Sequence, residues 1–125
     1  MTTIRPEELD EWLSSEEPPF LLDIRPRSAY KTSAIDGSYN IPVYDQLGNG
    51  EETALRERLD EIPGDRTVVV ICKMGVVAKR ATKVLRSDGY DAVTLVGGMR
   101  GWRGYQNGSL GYKLRSAVRH VVDAL

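Results

Sequence analysis

Apolar residues along this chain follow two rhythms. Near-continuous runs occur at Phe20-Leu21-Leu22-Asp23-Ile24, Thr67-Val68-Val69-Val70-Ile71 and Val93-Thr94-Leu95-Val96. Such runs, rich in β-branched residues, predict strands covered on both faces, as in the middle of a parallel sheet. Between them the apolar positions recur every three or four residues. Pro6 to Leu13 places Leu9, Trp12 and Leu13 on one helical face, after a first turn holding Pro and acids. Thr53 to Ile62 does the same with Leu55, Leu59 and Ile62, and Pro63-Gly64-Asp65 stops it. From Val77 the stripe is Val77, Ala81, Val84 and Leu85, with Lys79, Arg80, Lys83 and Arg86 on the other faces.

Weaker signals fill the gaps. Ile4 suits a short edge strand, Arg27 to Lys31 a helical turn, Asp36-Gly37 a reverse turn, and Ile41 the start of a brief strand. Gln46 to Glu52 is Gly-rich and polar and predicts an exposed loop. Gly89 suits a left-handed helix cap, and after the Gly97-Gly98 breaker Met99-Arg100-Gly101-Trp102 begins a short helix. Strands alternating with helices predict an α/β domain: a central, mostly parallel sheet of about five strands with helices on both faces. Residues 1–125 read as one domain, and 112–125 as a C-terminal amphipathic helix. On that helix Leu114, Val118, Val121, Val122 and Leu125 share a face, opposed by Lys113, Arg115, Arg119 and Asp123. The stripe predicts packing onto the domain; subunit contact and a membrane surface are the alternatives.

Composition narrows the function classes. A net charge of −1 leaves no surplus of cations for phosphate backbones, so no nucleic-acid partner is expected. One cysteine, Cys72, and one histidine, His120, exclude an internal disulfide framework and leave too few ligands for a structural metal site. No run is long and apolar enough to cross a membrane, and the first residues lack a signal-peptide core, so a cytoplasmic location is expected. The cations Lys79, Lys83 and Arg86 fall at helical spacing. They read as a solvated face, or as a contact for an acidic partner.

Candidate chemistry gathers at Cys72. The residue follows a core strand, at the edge where open α/β sheets place their ligand crevices. The next helix aims its amino end at the same place, with unpaired N–H groups and a partial positive charge that favour the thiolate. Gly75 allows the loop to curl and converge several N–H groups on one point. An inert core cysteine is the alternative, because free cysteines are among the most buried residues. Asp23 and Arg25 bracket the end of another strand, where buried charges must pair.

Four separated segments carry a resemblance: Leu22-Asp23-Ile24-Arg25, Asn40-Ile41-Pro42, Cys72-Lys73-Met74-Gly75-Val76-Val77-Ala78, and Leu95 through Trp102. In that order and spacing the chain resembles the single-domain rhodanese family of sulfurtransferases over most of Ile4 to Trp102. The resemblance implies that Cys72 takes a sulfane sulfur from a donor such as thiosulfate or a persulfide, holds it as a covalent persulfide, and passes it to cyanide, a thiol or a sulfur-carrier protein. No further cofactor and no metal are implied, and the chain would be a monomer or weak homodimer. Backbone N–H groups from Lys73 to Ala78 would hold the outer sulfur and the departing anion, Lys73 would attract an anionic donor, and Asp23 and Arg25 would brace the loop. Trp102 would pack in the core.

The chain departs from the family pattern in places. Ser33-Ala34-Ile35 stands where Gly-His-Ile is common, Ala29 where an acid is common, and Lys73 where Arg is common. Met74, Val76 and Val77 make the loop unusually apolar, which favours a persulfide on a protein or small thiol over thiosulfate as donor. Phosphatases of related fold clamp phosphate with an arginine six residues after the cysteine; here that residue is Ala78. The competing reading from another class is a regulatory module that uses the fold to dock a partner without turnover.

Overall fold

The computed structural model describes residues 2–124, with side chains as far as Val122. Strands β1 (Thr3–Ile4), β2 (Phe20–Asp23), β3 (Tyr39–Asn40), β4 (Val68–Ile71) and β5 (Ala92–Leu95) form a sheet in the order β1-β5-β4-β2-β3, with every neighbouring pair parallel. The Val-rich run is thus the middle strand, and all four of its residues are buried. Register aligns the functional ends: Asp23 lies opposite Ile71, and Val70 opposite Thr94. Residues 23–25, 72–78 and 96–98 therefore leave the sheet at one carboxyl edge.

Alternation along β4 divides the interior in two. Val68, Val70 and Cys72 face α5 (Ala78–Ser87) together with Leu47, Leu55, Ala81, Val84 and Leu85. Val69 and Ile71 face α1 (Pro6–Leu13) and α6 (Gly98–Gly108), with Leu9, Met99 and Trp102. Helix α2 (Arg27–Thr32) follows β2, and the sheet has helices on both faces. Buried Thr82 of α5 and Thr94 of β5 share a hydroxyl hydrogen bond of 2.7 Å, so neither brings an unpaired polar atom into the core.

Several elements differ from the sequence reading. Residues 46–52 are not all loop: Tyr44–Gly48 forms α3, anchored by Leu47, which is buried in the α5-side core. The single helix expected over 53–62 is split into α4 (Thr53–Arg56) and a 3-10 turn (Leu59–Glu61), which lets Leu55 and Ile62 both reach the core. Strand β3 precedes Ile41, and α6, expected to be short, runs 11 residues.

The largest difference concerns the C-terminal helix, α7 (Leu110–Ala124). It packs on the domain through the face opposite its apolar stripe. Asp10 on α1 is fully buried, and its carboxylate accepts hydrogen bonds from Tyr105 Oη (2.6 Å), Arg115 Nε (2.9 Å) and Arg119 Nη1 (2.9 Å). Burial pushes this carboxyl up, but the hydrogen bonds from Tyr105, Arg115 and Arg119 more than offset it and hold it below the ordinary carboxylate range. Tyr112 completes the contact, edge-on to Trp102 with ring centres 5.7 Å apart. Leu110, Leu114, Val118, Val121 and Val122 consequently stand 60–71% exposed. Leu125 and the Asp123 side chain lie outside the described residues.

Candidate active site

Cys72 is 1% exposed, yet its sulfur is not surrounded by hydrocarbon alone. Its Sγ accepts the N–H of Gly75 at 3.1 Å and that of Ala78, the first residue of α5, at 3.4 Å. Two main-chain donors converging on one sulfur favour negative charge there, and the amino end of a helix adds to it. The loop achieves this curl at Gly75, whose φ of +85° belongs to the left-handed region.

A second helix end fixes the loop from behind. Met99 N–H donates to the Cys72 carbonyl (2.8 Å) and Arg100 N–H to the Lys73 carbonyl (3.0 Å), so the first turn of α6 engages the loop's oxygens. The approach is possible only without a Cβ: one built on Gly98 would lie 2.3 Å from the Cys72 carbonyl oxygen. With those carbonyls turned towards α6, the N–H groups of Lys73, Met74, Val76 and Val77 have no protein acceptor among the described residues. The side chains diverge: Lys73, Met74 and Val76 are exposed, Val77 is half-buried and Ala78 is buried.

Asp23 and Arg25 brace the neighbouring strand end. Arg25 reaches Asp23 through Nε at 3.0 Å and Nη2 at 2.7 Å, its own N–H bonds the same carboxylate at 3.0 Å, and Nη2 also donates to the Ser33 carbonyl at 2.7 Å. Asn40 Nδ2 donates to the carbonyls of Asp23 and Arg25, both at 2.9 Å. The pair is buried and its donors are directed inwards, so it holds backbone rather than reaching for a ligand.

Beside the loop opens a cleft of about 570 Å³ whose lining includes Arg25, Ala29, Tyr44, Asp45, Lys73 and Arg103. Sequence reasoning found Arg25, Ala29 and Lys73 but missed Tyr44, Asp45 and Arg103, because residues 44 and 45 carry no periodic signal ahead of the loop expected from Gln46, and the helix begun at Met99 was expected to be short. The signal for the latter was available: Arg100 and Arg103 follow Gly97-Gly98 at helical spacing. His120 does not join this group; it pairs with Asp36 at 3.2 Å beside a separate cleft of about 280 Å³. Among the described residues no group of three or more His, Cys, Asp or Glu side chains is placed to hold a metal ion. No described helix is long and apolar enough to cross a membrane. Among the described residues no arginine donates to the sulfur: Arg80, the first arginine after it, donates instead to the carbonyls of Leu47 (2.8 Å) and Gly48 (3.3 Å).

Comparison with known proteins agrees with this geometry. The probable adenylyltransferase/sulfurtransferase MoeZ of Mycobacterium tuberculosis is 36% identical over 102 residues, covering 81% of this chain and 24% of the relative. An HTH-type transcriptional regulator of the same organism, Rv0324, is 34% identical over 85 residues, covering 66% of this chain and 34% of the regulator. The chain thus spans a quarter to a third of the length of these relatives. Among solved structures, a rhodanese-related protein from Thermoplasma volcanium superposes with a TM-score of 0.69 at 25% identity, covering 83% of this chain and 92% of that one. Residues 5–105 match the Rhodanese-like domain family, and with its parallel sheet and cysteine loop the chain belongs to that family.

Proposed function

We propose that this protein is a sulfurtransferase in which Cys72 carries sulfur as a persulfide. The observation that supports the reading most is the pair of N–H donors from Gly75 and Ala78 on the Cys72 sulfur, within a loop whose remaining amides are unengaged. In the first half-reaction the Cys72 thiolate attacks the outer sulfur of a donor R–S–S⁻ or of thiosulfate. A sulfur–sulfur bond forms to Cys72 as the donor's own sulfur–sulfur bond breaks, and a thiolate or sulfite departs with the electron pair. In the second, an acceptor thiolate or cyanide attacks the outer sulfur and the Cys72 thiolate leaves. The protein needs no separate base for either step, because the amides stabilise the sulfur anion in both resting states. The N–H groups of Lys73, Met74, Val76 and Val77 would receive the charge of the outer sulfur, and the carbonyls held by α6 prevent the loop from turning oxygens inward.

Lys73 and Arg103 supply positive charge at the cleft and favour an anionic donor or acceptor. Met74 (51% exposed) and Val76 (69%) add an apolar rim, which suits a persulfide carried on a protein or small thiol better than free thiosulfate. A sulfur-carrier protein is the proposed macromolecular acceptor; MoeZ combines adenylyltransferase and sulfurtransferase in its name. The similarity to a transcriptional regulator favours a second reading, a regulatory domain that docks without turnover. Intact-protein mass spectrometry after incubation with thiosulfate or glutathione persulfide separates the two. Gain of one sulfur atom, removed by cyanide or reductant and absent in Cys72→Ala, supports sulfur transfer. No gain with either donor supports the docking domain.

A further inference from the structure

We propose that the exposed face of α7 is a homodimer interface, in which two copies of this chain pack their α7 helices antiparallel about a twofold axis. The starting observation is an inversion. An amphipathic helix on a monomer turns its apolar stripe inward, whereas here Arg115, Arg119 and Tyr112 face the domain and the stripe faces outward. The orientation is fixed by its contacts: a rotation that buried the stripe would strip fully buried Asp10 of both guanidinium partners. The apolar face is therefore held outward by the fold.

Area and charge select the occupant. Leu110, Leu114, Val118, Val121 and Val122 are 60–71% exposed, leaving on the order of 100 Å² of apolar surface open on each and roughly 500 Å² together. Paired with the same patch on a second copy, the buried area reaches about 1,000 Å², the lower bound for a specific interface. Arg115 and Arg119 share the single negative charge of Asp10, and His120 sits against Asp36. Among the described residues Lys113 and the one guanidinium charge that Asp10 leaves unbalanced are the cations left over on this helix, fewer than the basic cluster that draws a helix to anionic lipid. A narrow stripe of Val and Leu beside Ala117 and Gly111 permits close helix approach, and a twofold axis makes the patch its own complement.

The test is sedimentation equilibrium of the full chain across the micromolar range. Wild type is expected at twice the chain mass, and Leu114→Glu/Val118→Glu at one chain mass, with association weakened at least roughly a hundredfold and with an unchanged circular dichroism spectrum. Leu114→Lys/Val118→Lys is also expected to be monomeric, and an equimolar mixture of the two charge variants to recover the dimer. A wild type that stays monomeric, or charge variants that associate as wild type does, overturns the proposal. So does a monomeric wild type that co-sediments with phosphatidylcholine/phosphatidylglycerol vesicles. The substitutions lie on α7 away from the Cys72 loop, so sulfur loading provides an independent readout.

Discussion

Replacing Gly75 with alanine tests whether the amide bowl does the work assigned to it. The residue sits at φ +85°, and a Cβ there would lie 2.9 Å from Gly97 N, 3.1 Å from Leu95 O and 3.3 Å from Gly98 N, all main-chain atoms that cannot swing aside. Gly89 provides the control, with φ +92° and nothing within 4 Å of its Cβ position. Gly89→Ala therefore incurs only the left-handed backbone cost, about 1–2 kcal/mol. Gly75→Ala incurs the same cost plus overpacking of about 1–3 kcal/mol, so thermal unfolding should fall by about 4 °C per kcal/mol lost, and further than in the control. The chemistry should separate the two more sharply. Moving the Gly75 amide off the Cys72 sulfur weakens a hydrogen bond to a charged group worth about 1.5–3 kcal/mol, a loss of roughly 10- to 100-fold in the rate of sulfur loading. Stopped-flow or quenched mass spectrometry at saturating persulfide donor, below the melting temperature of either variant, measures that rate. If Gly75→Ala loads sulfur as fast as Gly89→Ala, the amide bowl is irrelevant to the reaction and the proposed mechanism fails.

Three further outcomes are expected. Arg25→Lys keeps the charge but loses the fork that grips Asp23 and the Ser33 carbonyl; denaturant unfolding should show a loss of about 2–3 kcal/mol. Asp10→Asn should loosen α7 and destabilise the fold by about 1–3 kcal/mol at neutral pH, the buried-pair value reduced because Arg115 and Arg119 are partly solvated. Since the Asp10 carboxyl is held below its ordinary value, its contribution is complete above the unfolded value of about 3.9 and is lost as pH falls through the folded one. The difference between wild type and Asp10→Asn in melting temperature should thus hold above about pH 4, shrink as the pH falls further and vanish only beneath the lowered folded value; a constant difference refutes the assignment. Met74→Ser/Val76→Ser removes the apolar rim, and should raise KM for a protein-borne persulfide several-fold while changing loading from thiosulfate by less than about twofold.

The parts of the fold set by hydrophobic burial were legible in the chain itself. Val68 to Ile71 reads as a central strand because both of its faces are covered, and the stripe from Ala81 to Leu85 reads as a helix because one of its faces is. The cysteine loop was legible for another reason: a strand end, a glycine and a helix start at fixed spacing leave few backbone paths. What escaped was set by polar satisfaction. Asp10 lies beside Leu9 in a run of charged residues, and nothing local marks it as the buried acid that recruits two arginines about a hundred residues away. That long-range pairing reversed the orientation of α7 against its own amphipathic pattern. Likewise Leu47 is a lone apolar residue in a polar segment, too small a signal to announce the helix that it anchors. Arg103 and Asp45 meet at the cleft only because α6 and α3 run further than their apolar residues require.

The way α6 grips the carbonyls of Cys72 and Lys73 separates reactivity from identity. Among the described residues both hydrogen bonds to the Cys72 sulfur come from main chain, which all amino acids share, while the Lys73, Met74 and Val76 side chains are exposed. Under the proposed function, those three positions can drift or be redesigned to greet a different donor or acceptor without resetting the nucleophile. Client choice and sulfur chemistry can thus evolve on separate clocks within a loop of seven residues, Cys72 to Ala78.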